Sequence, residues 1–129
     1  MRIRPTIEVE LGDRADLQAA LDLLTSWNRY ARARAVAGGR PFPKLLRSGV
    51  RYAREQRVGG RVREDWQDVR HLYKRKRGDC EDLACALAAE LPGARAVPVR
   101  SSVGWHIIVR LADGRYVDPS RALGMNGDG

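Results

Sequence analysis

The sequence predicts an α+β domain, and three observations predict it. Leu17, Ala20, Leu21, Leu24, Trp27, Asn28 and Ala31 recur at helical spacing, so an amphipathic helix is expected from Leu17 to about Arg34. A second helical pattern (Leu83, Ala84, Leu87, Ala88, Leu91) begins abruptly at Cys80 and stops at Pro92-Gly93. The last third then alternates in short apolar runs separated by turn residues. Helices first and an antiparallel sheet last is the order of the α+β class.

The chain has 129 residues, enough for one domain with its own core. We take 1–129 as a single unit, with 1–37 supplying a strand and the amphipathic helix. No apolar run reaches the roughly 18–20 residues of a membrane span. Met1-Arg2-Ile3-Arg4-Pro5 lacks the apolar stretch of a secretory signal, so we expect a soluble protein made in the cytoplasm, with no membrane partner. Cys80 and Cys85, on one helix, point about 140° apart and cannot pair with each other. Two Cys and two His (His71 and His106) show no close ligand pairs for zinc. Residues 1–77 carry 19 Lys and Arg against 9 Asp and Glu, whereas residues 78–129 carry 5 against 7. The basic half suits a solvated Arg-rich face, an acidic protein partner or nucleic acid. Its dense run, Lys74-Arg75-Lys76-Arg77, lacks the interleaved aromatics of a single-strand binder.

In chain order, Ile3 to Leu11 alternates and predicts an opening strand, with Asp13 or Asp16 capping the helix that follows. Gly38-Gly39 ends that helix. Residues 38–63 are rich in turn signals and predict an irregular excursion with a short strand near Val50-Tyr52. Glu64-Asp65-Trp66-Gln67-Asp68 could open a short helix. Strands are expected over Ala94–Arg100, Gly104–Leu111 and Arg115–Val117. His71 has no evident partner.

Gly78-Asp79-Cys80-Glu81-Asp82-Leu83-Ala84 places a cysteine at the first turn of a helix. Asp79 is a good N-cap, and Asp82 resembles the return half of a capping box. Cys80 then lies among unpaired backbone N–H groups, which favour the thiolate, while Asp79, Glu81 and Asp82 oppose it. A base is needed, and His106 heads an apolar strand with Asp118 on the next. A two-residue turn at Asp113-Gly114 would put His106 and Asp118 on opposite faces. A three-residue loop, Ala112-Asp113-Gly114 with Gly114 left-handed, pairs Leu111 with Arg115 and sets Ile108 opposite Asp118. His106 is then on the face of Asp118, one diagonal step away, and Ile107, Val109, Leu111 and Val117 fill the other face. This register gives both a core and a His–Asp pair, and we adopt it. Taken singly, Cys80, His106 and Asp118 each have a structural explanation. Cys85, mid-helix among alanines, reads as an inert core residue.

These motifs, with Trp105-His106 and Val117-Asp118-Pro119-Ser120, resemble the transglutaminase-like (papain-related) superfamily. The chain is most similar to the small transglutaminase-like proteins of tailed-phage genomes, and next to bacterial transglutaminase-like cysteine peptidases. The resemblance covers roughly residues 41–125. It implies a papain/transglutaminase-like core, a nucleophile helix packed on an antiparallel sheet, and a Cys80–His106–Asp118 triad. In the bacterial peptidases acids flanking the nucleophile bind calcium, and Asp79, Glu81 and Asp82 match those positions; otherwise they only cap the helix. A Trp upstream of the nucleophile donates to the oxyanion in transglutaminases, and Trp66 is either that residue, at a shorter spacing, or a core tryptophan.

The expected function is thiol acyl transfer on a protein or peptide amide, with no required cofactor. Water as acceptor makes a cysteine peptidase or amidase, which the small size favours; an amine makes a cross-linking transglutaminase. The alternatives are a virion or assembly protein that binds other virion proteins with little or no catalysis, and a nucleic-acid binder. The expected setting is the bacterial host cytoplasm or a phage particle.

Overall fold

The computed structural model describes residues 14–54, 57–58, 61–62, 66–102 and 104–125. The strand expected over Ile3–Leu11, the Asp13 cap, Glu64 and Asp65 lie outside them.

Helix α1 runs Arg14–Ala37 and buries Leu17, Ala20, Leu21, Leu24, Asn28 and Ala31 of the expected stripe; Thr25 is buried with them, whereas Trp27 is only half-buried. Its last turn closes at Gly38, whose N–H bonds to Arg34 O at 3.0 Å. A 3-10 turn, Leu45–Arg47, precedes strand β1, Arg51–Tyr52. The partner of β1 was not legible: it pairs in parallel with β4, Arg77–Gly78, inside what reads as a basic linker. Two-residue strands carry no periodicity, so only tertiary placement makes this ladder. Between them, β2 (Arg57–Val58) and β3 (Arg61–Val62) form an antiparallel pair.

Helix α2 is Val69–Arg75 and starts later than Glu64–Asp68 suggests. Trp66 to Asp68 are not helical; Asp68 is extended and caps the helix by accepting the His71 N–H. Helix α3, Cys80–Glu90, carries the full expected capping box, with Asp79 accepting from Asp82 N and Asp82 accepting from Asp79 N. Gly78, just before it, is required by close approach. A Cβ there would lie 2.5 Å from Leu72 Cδ1 and 2.9 Å from Asp82 Cβ.

Strands β5 (Arg95–Ser101), β6 (Gly104–Arg110) and β7 (Tyr116–Val117) form an antiparallel sheet in that order. The β6–β7 register is the predicted one. Val109 pairs with Val117 and Arg110 with Tyr116, and the Leu111 N–H bonds to Arg115 O at 2.7 Å. Gly114 has φ +90, as the three-residue loop demands. After Val117 the chain turns directly into helix α4, Pro119–Ala122, with Asp118 as N-cap and proline in the first turn.

Helices α1 and α3 pack together and against one face of this sheet. Leu21, Leu24, Leu83, Ala84, Ala88, Ala96, Ile107 and Val109 are buried there. Each fully buried Leu or Ile contributes about 1.5–3 kcal/mol, so the helix that carries Cys80 is anchored along its length. Among the described residues no helix is long and apolar enough to cross a membrane.

Candidate active site

Cys80 is the first helical residue of α3 and is half-buried. Its sulfur meets β6 at the sheet edge. The Leu111 N–H points toward β7, and alternate N–H groups along a strand point the same way. That of Ile107 is therefore aimed past the end of β7, where it meets the Cys80 sulfur. An edge N–H with no strand partner is thus taken up by the thiol of the helix. Ile107 directly follows His106, so Cys80 and His106 adjoin the same peptide unit.

His106 is buried (7 % exposed), and its Nε2–H donates to Asp118 Oδ2 at 2.7 Å. The other oxygen of Asp118 accepts the backbone N–H groups of Ser120 at 3.1 Å and Arg121 at 3.3 Å. The carboxylate is thereby fixed by the turn it caps, and it fixes the imidazole in turn. Arg121 Nε also approaches Asp118 Oδ2, at 3.5 Å. His106 Nδ1 is buried and has no hydrogen-bond partner among the described residues.

The Cys80–His106 hydrogen bond is not made. The thiol donates instead to Glu81 Oε2 at 3.6 Å. Burial, with Asp79 and then Asp82 adding to it, pushes the Cys80 thiol up to about 12, against the Ile107 N–H. Burial, joined by Asp79 and Asp82, thus outweighs the helix N-terminus, and Cys80 is a neutral thiol in this arrangement.

The three acids play separate parts. Asp82 is buried, and both its oxygens are engaged: Gln67 N reaches Oδ1 at 2.7 Å, and Gln67 Nε2 reaches Oδ2 at 3.0 Å. Burial and the nearby Asp79 raise its carboxyl well above the usual range. Asp79 is committed to the cap and Glu81 accepts from the thiol. Among the described residues no three His, Cys, Asp or Glu side chains gather as a metal-holding group. Asp79, Glu81 and Asp82 as placed do not fit a shared cation.

Trp66 is fully buried in the core. Cys85 is also fully buried, its Sγ–H donating to Leu21 O at 3.5 Å, and burial pushes its thiol up further than that of Cys80. His71 is not partnerless, which corrects the sequence expectation. Its Nδ1–H donates to Asp68 Oδ1 at 2.7 Å, and Trp27 Nε1 donates to Asp68 Oδ2 at 2.8 Å. This second His–Asp pair ties α1 to α2 and lies on a different helix from the cysteine.

Three neighbours of the site were missed. Gln67 clamps Asp82, and nothing in a polar Gln-Asp run signals it. Tyr52 is half-buried, and burial first, then Cys80, raises its hydroxyl, so β1 brings a phenol near the thiol. Trp105 Nε1, on the residue before His106, is buried without a hydrogen-bond partner among the described residues. Its position beside His106 in the sequence was the one available signal.

Compared with known proteins, the chain matches no family model, no curated protein and no solved structure.

Proposed function

We propose that this chain is a thiol acyl-transfer enzyme of transglutaminase-like (papain-related) type, acting as a cysteine peptidase or amidase on a protein or peptide amide. The observation that carries the proposal is the division of labour on His106. Nε2 is held by Asp118 at 2.7 Å, while buried Nδ1 is left without a partner next to the peptide unit that contacts Cys80. A buried nitrogen without a bond costs about 1–3 kcal/mol, and a transferred proton would satisfy it.

With Nε2 protonated toward Asp118, the lone pair of Nδ1 is the base. The Cys80 Sγ–H turns from Glu81 to Nδ1 and gives up its proton as sulfur attacks the amide carbonyl. Asp118 steadies the imidazolium. Nδ1–H then protonates the leaving amine, leaving a thioester on Cys80. Water, deprotonated by the same nitrogen, releases the acid and restores the thiol. Because the resting thiol is neutral, proton transfer accompanies attack rather than preceding it. No step needs a metal. An amine in place of water would make the same site a cross-linking transglutaminase.

A second reading is an assembly or virion protein with this fold and little catalysis, working among other virion proteins. It is favoured by the thiol at about 12 and its bond to Glu81 rather than His106. The proposed settings are the bacterial host cytoplasm and the phage particle.

A peptidyl electrophile with mass-spectrometric readout separates the two. Catalysis predicts labelling of Cys80 well ahead of Cys85, and loss of that labelling in His106→Gln. Equal labelling of the two cysteines, or no effect of His106→Gln, sinks the enzymatic reading.

A further inference from the structure

Helix α1 turns a second, unburied face to solvent. Ala19, Leu23, Ser26, Tyr30, Ala33 and Ala37 are all exposed and follow one another at alternating steps of four and three residues. That is the seam spacing of a helix that meets another helix. A face made for water would carry charge, since 31% of the chain is charged, yet these six positions hold none. Leu23 and Tyr30, the large side chains on the seam, are 61% and 58% exposed. Tyr30 already leans on Trp27, their ring centroids 6.3 Å apart, so little of its freedom is left to lose on contact. The opposite side of α1 is taken up by α3 and β5. Charge returns to the exposed face at its two ends, as Asp16 in the first turn and Arg34 in the last, and both are exposed.

We propose that this seam is an interface with a second copy of the chain, the two α1 helices running antiparallel about a two-fold axis. Size and charge select the same arrangement. If Leu23 faces Ser26 of the second copy, the same offset sets Tyr30 opposite Ala19, so each large side chain meets a small one. It also sets Asp16 opposite Ala33 and beside Arg34 of the second copy. A carboxylate accepts from more than one donor, so Asp16 can take that guanidinium alongside any partner in its own chain. Two-fold symmetry makes every contact twice, giving two such ion pairs. A parallel pair would instead set Asp16 against Asp16 and Tyr30 against Tyr30. This self-complementarity is what favours a second copy over the helix of a different protein. The seam is about 27 Å long. One helix pair of that length falls short of the roughly 1,200 Å² of a stable interface, so a weak dimer with a Kd of about 10–100 μM is expected.

Sedimentation equilibrium of the full chain over about 1–500 μM tests this, at about 0.15 M salt so that repulsion between two chains of net charge +8 is screened. The mass is expected to rise from one chain toward two. Tyr30→Arg sits at an exposed position outside the core and should weaken association by roughly tenfold or more, with the melting temperature of the dilute chain unchanged. Arg34→Asp turns two attractive pairs repulsive and should weaken association roughly fivefold, and adding Asp16→Arg to it should restore the loss. A chain that stays monomeric throughout overturns the proposal and leaves the seam to a different protein. A dimer that Tyr30→Arg leaves intact overturns it as well, by placing the interface elsewhere. Failure of the double reversal to recover what Arg34→Asp loses overturns the antiparallel register.

Discussion

Replacing Asp118 by asparagine separates the charge of the carboxylate from its shape. One oxygen of Asp118 accepts the N–H groups of Ser120 and Arg121 and starts α4, while the other accepts His106 Nε2–H at 2.7 Å. Asparagine is as good an N-cap as aspartate, but it has a single acceptor oxygen. Two backbone donors hold that oxygen, so the amide NH2 faces His106. A donor opposite Nε2 makes Nε2 the acceptor and moves the ring proton to Nδ1, the nitrogen that must act as base. The wrong tautomer and the lost charge-assisted bond together cost about 3–5 kcal/mol in the transition state, or a fall of roughly 10²–10⁴ in kcat/KM. Folding stability falls by only about 1 kcal/mol, because the cap survives. Ring ¹⁵N shifts at mildly alkaline pH read the tautomer directly, and the protein carries its own reference. His71 donates from Nδ1 to Asp68 at 2.7 Å, so the unaltered chain holds one histidine of each tautomer. Asp118→Asn is expected to give two Nδ1–H rings. An unchanged His106 tautomer together with unchanged acylation of Cys80 would refute the reasoning.

Four other outcomes follow from the same geometry. With the Cys80 thiol at about 12, its alkylation rate should climb about tenfold per pH unit past the usual thiol range without levelling; Asp79→Asn removes a raising charge, so the curve shifts to lower pH, and a plateau near an ordinary thiol value in the unaltered chain contradicts this. Asp82 has a folded-state pKa raised above its unfolded value, so its stabilising contribution is full at acidic pH and is lost as pH rises through the folded value. Asp82→Asn, which cannot ionise, should therefore compare better with the unaltered chain in denaturant melts at neutral pH than at acidic pH, and the opposite trend counts against a raised carboxyl. Gly78→Ala should cost about 1–3 kcal/mol, seen as a lower Tm, since the new methyl meets Leu72 and Asp82; an unchanged Tm would mean the two helices yield freely. Asp68→Ala strips partners from Trp27 and His71 and should cost about 3–5 kcal/mol, with Cys80 labelling at its normal relative rate in the folded fraction.

What the sequence determined by itself was whatever depends on near neighbours. The Leu17–Ala31 stripe gave α1, Asp79 and Asp82 gave the start of α3, and the Ala112-Asp113-Gly114 loop gave the register that sets His106 beside Asp118. Periodicity, capping and turn geometry act over a few residues, so these features survive being read off a string. Tertiary structure alone decided the rest. It laid β1 beside β4, clamped Asp82 with Gln67, gave His71 to Asp68, and aimed the Ile107 N–H at the Cys80 sulfur. It also decided the protonation of that sulfur. The helix N-terminus and the opposing Asp79 and Asp82 are both legible in the sequence, but the desolvation that raises the thiol most exists only once distant segments have packed around it, and it tips the balance.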